Sequence, residues 1–233
     1  MNGIGSPFAH VTPVVKNLLI INAIFFLATY LFGEQLMITK LGVFYFDSPN
    51  FRIWQVVSYM FMHGGFAHIF FNMFALYTFG TAVEYMFGSK QFLKYYVITG
   101  LGALALQMIV QAFEVYQLTG SITIDPQAFQ SADENTIRTL SEIYYSPMVG
   151  ASGAIFGILI AFGMLLPNAE LFIMFIPVPV KAKYIIPLYI IIELVLGVAQ
   201  FSGDSVAHFA HIGGALVGFL LLKIWGYRYN GKI

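Results

Sequence analysis

Ser152 is the residue whose type and surroundings best suit nucleophilic chemistry. It lies in the run Gly150–Ala–Ser–Gly–Ala–Ile–Phe–Gly157, and Pro147 stands just upstream, as expected where a helix begins. Ser152 therefore falls in the first helical turn, where backbone N–H groups have no helical acceptor and the helix dipole is positive. Such N–H groups can stabilise negative charge that develops on a substrate oxygen. The simpler interpretation of this run is a small-residue packing face formed by Gly153 and Gly157.

A histidine in the last apolar run supplies a base that matches this serine. The run reads Ala–His–Phe–Ala–His–Ile–Gly–Gly–Ala–Leu–Val–Gly, and positions i, i+4, i+7 and i+11 of it share one helical face. That face holds small residues and one imidazole, namely Ala207, His211, Gly214 and Gly218. Small residues let two helix backbones approach closely, so this stripe fits the small face next to Ser152 and would bring Ser152 to His211. A serine beside a histidine is a nucleophile with its general base.

His68 and Asn72 form a second polar pair inside an apolar run. Their i, i+4 spacing places both side chains on one helical face. Polar groups are costly in hydrocarbon, so each is a functional candidate. The alternative is a pair of hydrogen bonds between helices.

Two carboxylates inside apolar runs are interpreted as structural. Glu193 is the only acid in the fifth run, and we expect it to be protonated or hydrogen-bonded within the protein rather than catalytic. Glu84 is expected to bond to a neighbouring loop or helix.

The composition shows which elements must position these side chains. Of 233 residues, 59% are apolar and 9% are charged, and the mean hydropathy is +0.79. Soluble domains carry about 25% charged residues, so a soluble enzyme and a disordered chain are both excluded. Basic and acidic residues balance at 11 each, so nothing indicates a nucleic-acid partner. The absence of Cys excludes disulfides and a cysteine nucleophile.

Six stretches approach the ~20 apolar residues that one bilayer crossing needs. They lie at 14–32, 66–87, 92–115, 149–166, 184–201 and 207–226. The sequence therefore predicts an all-α polytopic membrane protein, a bundle of six transmembrane helices in a single domain over residues 1–233.

Basic residues indicate the orientation, because they accumulate in cytoplasmic segments. With the N-terminus inside, eight lie on the cytoplasmic side: Lys16, Lys90, Lys94, Lys181, Lys183, Lys223, Arg228 and Lys232. Three lie outside: Lys40, Arg52 and Arg138. We expect both termini in the cytoplasm and the protein in a bacterial plasma (inner) membrane.

Two connections are unusual. The first, about 33–65, is long yet apolar, so we expect it to lie partly in the membrane interface, anchored by Tyr45, Trp54 and Tyr59. The third, about 116–147, is polar and is expected to be a flexible outer excursion.

Two other intramembrane hydrolysis chemistries lack their motifs. Zinc hydrolysis uses H-E-x-x-H, which does not occur. The intramembrane aspartyl proteases have a paired Tyr-Asp and Gly-x-Gly-Asp pattern, whereas the only Gly-Asp here, Gly203–Asp204, lacks the preceding glycine. Of the three intramembrane hydrolysis chemistries, serine-based hydrolysis therefore remains.

Three motifs together resemble the rhomboid family of intramembrane serine proteases, which have a six-helix core. They are Gly-Ala-Ser-Gly at the start of one span, His-x-x-x-Asn in an earlier span and Ala-His-x-Gly-Gly-x-x-x-Gly in the last. The resemblance implies Ser152 as nucleophile and His211 as general base, in a dyad without a catalytic acid. It implies an oxyanion site made of His68, Asn72 and the backbone N–H of Ser152.

The resemblance also implies supporting roles. Gly150 would keep the loop before the nucleophile free of a side chain, Phe156 would place its ring against the imidazole, and His63 would be structural. The family often has Trp-Arg in the first loop, whereas Gln55 follows Trp54 here, so we expect Arg52 to brace that loop.

The expected partners are transmembrane protein substrates and membrane lipids, with no nucleic acid; the sequence does not indicate an oligomeric state. We expect no cofactor and no metal. One alternative is a catalytically inactive rhomboid-like protein that binds membrane helices. The other is a metal or haem protein that uses His63, His68, His208 and His211, although no Cys, Met or carboxylate completes an obvious ligand set.

Overall fold

The computed structural model describes residues 11–125, 129, 132–172, 178–199, 207–228 and 231–232. The helices are α1 (Pro13–Phe32), α2 (Glu34–Leu41), α3 (Gln55–Ser58), α4 (Phe66–Ala75), α5 (Thr81–Phe87), α6 (Ser89–Thr119), α7 (Glu134–Tyr145), α8 (Ser152–Leu165), α9 (Ala182–Ala199) and α10 (His208–Ile224). A 3-10 turn at Tyr59–Phe61 follows α3, and a π-helical turn at Leu76–Gly80 joins α4 to α5. Two short antiparallel pairs join β1 (Glu170–Leu171) to β2 (Val180–Lys181), and β3 (Tyr227–Arg228) to β4 (Gly231–Lys232).

The helices agree with the predicted membrane fold. In the described part of the chain, four apolar segments have the length to cross a bilayer, and they are Pro13–Phe32, Phe66–Phe87, Ser89–Thr119 and Ala182–Ala199. Helices suit this environment because they satisfy their backbone hydrogen bonds internally. The remaining two predicted spans are the shorter apolar helices α8 and α10. The prediction of an all-α polytopic membrane protein is confirmed, and the count of six crossings stays a prediction.

Helix α8 lies at the centre of the protein. It packs between α6 and α10, and ten of its 14 residues are buried. The helices around it expose large apolar side chains on their outer faces, as surfaces in contact with lipid require. The predicted site residues at the start of α8 are therefore surrounded by protein rather than by lipid.

Glu84 has the structural role expected of it. Its carboxylate accepts hydrogen bonds from the backbone N–H groups of Val14 and Val15, at 3.0 and 2.8 Å, and from the hydroxyl of Ser89, at 2.6 Å. It thus caps the first turn of α1 from another helix, where free N–H groups need acceptors.

The first connection is anchored differently from the prediction. Trp54 is half exposed, but Tyr45 and Tyr59 are buried in the protein, so the prediction that these two anchor the loop at the membrane interface is wrong. Their hydroxyls donate to main-chain carbonyls, and that of Tyr59 reaches the carbonyl of Gly100 on α6. Gln55, which is fully buried, braces the loop from inside.

Gln55 braces the first connection through both the nitrogen and the oxygen of its side-chain amide. Its Nε2 donates to the carbonyls of Thr39 and Asn50, and its Oε1 accepts the N–H of Arg52. The guanidinium of Arg52 donates to the nearby carbonyls of Pro49 and Phe51 at the surface. The loop is therefore braced by Gln55, where the sequence had suggested Arg52.

The third connection contains an ordered helix, so the prediction of a flexible excursion is wrong for residues 134–145. Asp133 caps α7 by accepting the N–H groups of Asn135 and Thr136. Helix α6 has 31 residues, about 46 Å long, and so extends past a hydrocarbon core of about 30 Å. Its last turns form a small core with α7, made of Tyr45, Val115, Ile124, Leu140 and Ile143.

Two sequence predictions concern residues 200–206, which lie outside the described residues. They are the end of the fifth predicted span at 201 and the Gly203–Asp204 pair.

Candidate active site

Ser152 and His211 are hydrogen-bonded. Ser152 is the first residue of α8 and His211 lies in the first turn of α10, and the Ser152 hydroxyl lies 2.7 Å from His211 Nε2. The serine is half-buried and the imidazole is 9% exposed. A hydroxyl that donates to a neutral imidazole nitrogen at this distance can pass its proton to that nitrogen as it attacks.

Glycines on α8 and α10 allow Ser152 and His211 to come into contact. The two small-residue stripes face each other, so that the backbones of α8 and α10 are in contact. A Cβ at Gly218 would lie 2.9 Å from the Cα of Gly157, and one at Gly214 would overlap the carbonyl of Gly153. Ser152 lies next to one of these contacts and His211 lies three residues from it, so the packing of the stripes places the two side chains together.

Phe156 fixes the plane of the imidazole. Its ring stacks on the ring of His211 with a centroid distance of 4.3 Å and an angle of 6°. Phe156 lies one turn after Ser152 on α8, so the same helix supplies Ser152 and the surface on which the ring of His211 rests. Rotation of the imidazole away from Ser152 would break this stacking.

His68 faces the space beside Ser152. The N–H of Gly64 donates to His68 Nδ1 over 3.4 Å, which favours the tautomer that carries its hydrogen on Nε2. Gly150 has φ +131°, and a Cβ there would lie 2.9 Å from His68 Nε2 and 3.5 Å from the Ser152 hydroxyl. The missing side chain therefore leaves room for a substrate oxygen between His68 and Ser152.

The other predicted oxyanion donors lie at the same end of α8. The first turn of α8 leaves the N–H groups of residues 152–154 without acceptors inside the helix, since the first intrahelical bond runs from Ile155 to Ala151. Asn72 is buried, and its amide donates to the carbonyl of His68 over 3.0 Å. One hydrogen of that amide remains for another acceptor.

His63 supports His68 from the first connection. It is 1% exposed and its ring meets that of His68 edge-on, with centroids 5.0 Å apart. Burial, followed by the electrostatic effect of His68, lowers the pKa of His63 to about 3, so this imidazole is neutral at physiological pH. It contributes packing to the site rather than charge.

Glu193 is the residue that the sequence did not place at the site. Its Oε2 lies 2.8 Å from His211 Nδ1 and 2.7 Å from His208 Nδ1. Glu193 is 5% exposed, and it is bonded within the protein as expected. What the sequence did not reveal is the partner: the carboxylate lies directly behind the imidazole that contacts Ser152. A lone acid in the span before a span with two histidines was the available signal.

The same three side chains are close enough to hold a metal ion. Within the described parts of the chain, Glu193, His208 and His211 bring their donor atoms within 4.8 Å of one another, so a carboxylate does accompany these histidines, contrary to the sequence interpretation. Ligands about 2.0–2.1 Å from a tetrahedral zinc ion lie about 3.3 Å apart. The separations of 2.7 and 2.8 Å are those of charge-assisted hydrogen bonds, which the cluster therefore fits better.

Comparison with known proteins assigns the family. The sequence model of the rhomboid domain matches residues 50–228. The chain belongs to the rhomboid family. Among its relatives, RHOMBOID-like protein 12, mitochondrial, of Arabidopsis thaliana is 28% identical over 205 residues, which cover 88% of this chain and 56% of that protein.

Two bacterial relatives are named as proteases. Rhomboid protease AarA of Providencia stuartii is 30% identical over 179 residues, 72% of this chain and 54% of that protein. Rhomboid protease GluP of Bacillus subtilis is 32% identical over 181 residues, 76% of this chain and 27% of that protein. The alignments thus cover about half or less of each of these relatives.

Proposed function

We propose that this rhomboid protein is an intramembrane serine endopeptidase, which cleaves transmembrane helices of other membrane proteins through Ser152 and His211. The observation that carries the proposal is the hydrogen bond of 2.7 Å between the Ser152 hydroxyl and His211 Nε2. Membership of a family that includes intramembrane serine proteases supports it.

The reaction proceeds in two halves. His211 Nε2 takes the proton of the Ser152 hydroxyl while the oxygen attacks the scissile carbonyl, and the resulting imidazolium returns the proton to the leaving amine. An acyl-enzyme remains, with the ester bond on Ser152. A water molecule, deprotonated by His211, then attacks this ester and releases the new carboxyl end.

The tetrahedral intermediates carry a negative oxygen that needs donors. His68 Nε2, the N–H of Ser152 and the amide of Asn72 are the proposed donors, and Gly150 leaves them the space. A single such donor contributes about 2.7–4 kcal/mol. Asn72→Ala should accordingly slow turnover by about 10²–10³-fold.

The length of α8 supports a site below the membrane surface. Its 14 residues span about 21 Å, whereas the hydrocarbon core is about 30 Å thick. If the C-terminal end of α8 reaches one face, Ser152 lies about 9 Å inside the other face. Substrate cleavage there requires access for water from that side, and it requires the target helix to unwind, since a helix hides its carbonyls in its own hydrogen bonds.

The orientation that we propose rests on the distribution of basic residues, which favours both termini on the inner side of the membrane and the start of α8 toward the outer face. Several relatives carry the word mitochondrial in their names. These relatives do not favour a bacterial plasma membrane over a mitochondrial one, so the proposal concerns the outer face of either.

The test is cleavage of a single-span substrate in reconstituted vesicles. Wild type should produce one defined cut within the span near its outer end. Ser152→Ala should be inactive and His211→Ala should be about 10²–10⁴-fold slower, and both should retain the unfolding temperature of the wild type. Replacing helix-weakening residues near the cut by Leu should slow cleavage. Cleavage by Ser152→Ala at the wild-type rate would disprove the proposed nucleophile, and an inactive but folded wild type would favour a helix-binding protein.

A further inference from the structure

The imidazole that contacts Ser152 has a carboxylate behind it. We propose that Glu193 is a positioning residue for His211, so that this chain works as a Ser152–His211–Glu193 triad; this inference rests on the function proposed above. Its basis is the single line of contacts from the Ser152 hydroxyl to His211 Nε2, at 2.7 Å, and from His211 Nδ1 to Glu193 Oε2, at 2.8 Å.

The contact with Glu193 decides which nitrogen of His211 carries the hydrogen. A carboxylate only accepts hydrogen bonds, so His211 Nδ1 must be the donor, and Nε2 is left with a free lone pair toward Ser152. In the other tautomer, Nε2 carries the hydrogen and cannot take a proton from serine. The carboxylate therefore selects the tautomer that can act as a base, in the way a triad acid does.

His208 holds the carboxylate in place. Its Nδ1 lies 2.7 Å from the same Oε2, so one carboxylate oxygen accepts from two imidazoles three residues apart on α10. Two donors at charge-assisted distances fix the orientation of the carboxylate more firmly than one donor would. Both also offset the cost of keeping a carboxylate at a position that is 5% exposed.

The backbones around this cluster are built for close approach. Gly197 lies one turn after Glu193 on α9, and a Cβ there would lie 3.1 Å from the Cβ of His208 and 3.4 Å from the ring of Phe209. Glu193 and Gly197 thus share the buried face of α9 that meets α10. The packing of α9 against α10 brings the carboxylate of Glu193 to His211. In the same way, the packing of α8 against α10 brings Ser152 to His211.

The exclusion of water around His211 strengthens the effect of the Glu193 charge during the reaction. Acylation turns His211 into an imidazolium, whose positive charge forms 2.8 Å from the carboxylate. The stacked ring of Phe156 covers one face of the imidazole, so little water screens this pair. An attraction between opposite charges is stronger where water is excluded.

The experiment compares kcat and KM for wild type and Glu193→Gln with the vesicle substrate. Gln has the same size, but it carries no charge and its amide can donate to Nδ1 and select the wrong tautomer. We expect kcat to fall by about 10²-fold or more, with KM within about threefold, because the group touches the base and not the substrate. Glu193→Asp keeps the charge but withdraws it by about 1.5 Å and should lose about tenfold.

Glu84→Gln is the matched control. It also neutralises a buried, hydrogen-bonded carboxylate within an apolar span, but on α5, at the far end of the Phe66–Phe87 span from His68. It should lower the unfolding temperature and leave the kcat of the folded protein within about threefold of wild type. Combining Glu193→Gln with His211→Ala should add no further loss, because a positioning residue acts only through its partner.

The two proposals fail differently. If Ser152→Ala is inactive but Glu193→Gln and Glu193→Asp both keep the wild-type kcat, the triad is disproved and the proposed function stands. A further loss of Glu193→Gln in the His211→Ala background would show a merely structural role and also overturn the triad. If Glu193→Gln does not fold, the kcat of Glu193→Asp decides. Activity of Ser152→Ala would instead overturn the proposed function itself.

Discussion

One added methyl group at residue 214 should separate the serine from the histidine. Gly214 contacts the carbonyl of Gly153, and an alanine Cβ at 214 would overlap that oxygen. The neighbour in this contact is backbone within a helix rather than the flexible end of a side chain. The Gly214→Ala protein can therefore relieve the overlap only by moving α10 away from α8.

The size of the movement can be worked from the contact. Real Cβ atoms essentially never come within 3.0 Å of another heavy atom, so the helices must separate locally by about 1 Å. Added to the 2.7 Å between Ser152 and His211, this gives a distance beyond hydrogen-bonding range. A misplacement of about 1 Å costs on the order of 10²-fold in rate, while the overpacking costs about 1–3 kcal/mol of stability.

The assay is turnover of a single-span substrate by Gly214→Ala beside Gly163→Ala. Gly163 lies on α8, but a Cβ there would meet only the side chain of Ile186, at 3.0 Å from its terminal methyl. We expect Gly163→Ala to keep near-normal kcat and Gly214→Ala to lose about 10²-fold. Wild-type kcat in Gly214→Ala would refute the claim that backbone contact sets the distance within the dyad.

Three further outcomes follow from the structure. Gly150→Ala should lower kcat by about 10²-fold or more, since its Cβ would fill the space 2.9 Å from His68 Nε2 at a strained φ of +131°; unchanged kcat would remove the oxyanion site from that space. Glu84→Ala should lower stability by about 1–3 kcal/mol in thermal unfolding, because two N–H groups of α1 lose their acceptor, whereas an unchanged unfolding temperature would show that the cap contributes nothing. Burial lowers the pKa of His63 from 6.5 to about 3, so between these values the unfolded chain binds a proton that the folded chain does not. Stability should therefore fall as the pH drops below about 6.5, by at most about 1.4 kcal/mol per pH unit, and His63→Gln should show a smaller difference between unfolding at about pH 7.5 and about pH 4.5.

Local sequence patterns predicted the all-α membrane fold and the contact between Ser152 and His211. Uninterrupted apolar runs indicate spans, and the spacing of Gly214 and Gly218 reveals which face of the last helix can touch another backbone. That face includes His211, and it fits the small-residue face formed by Gly153 and Gly157 beside Ser152. The proximity of Ser152 and His211 was therefore inferable from the spacing of small residues.

The position of Glu193 was not inferable in the same way. The rotation of α9 about its axis depends on contacts with α10, and the apolar residues around Glu193 have no periodicity that singles out one face. Gly197, one turn later, is the only local sign of a close approach, and a single glycine does not name its partner.

The errors in the connections have a similar cause. Composition alone cannot distinguish a tyrosine at the membrane interface from one in the core, and Tyr45 and Tyr59 proved to be in the core. The polar third connection has the N-cap Asp133 and the apolar pair Leu140 and Ile143, which indicate an amphipathic helix. The prediction of a flexible segment gave more weight to the high proportion of polar residues in this connection than to these helix signals.

The most direct measurement of the central claim is covalent labelling of Ser152 by a fluorophosphonate, with the modified peptide located by mass spectrometry. The probe needs an activated serine but no substrate, so it tests the contact between Ser152 and His211 independently of any partner protein. We expect labelling of Ser152 in the folded wild type, none in Ser152→Ala and a rate about 10²–10⁴-fold lower in His211→Ala. Labelling of Ser152 at the same rate with and without the histidine would contradict the claim that His211 is its base.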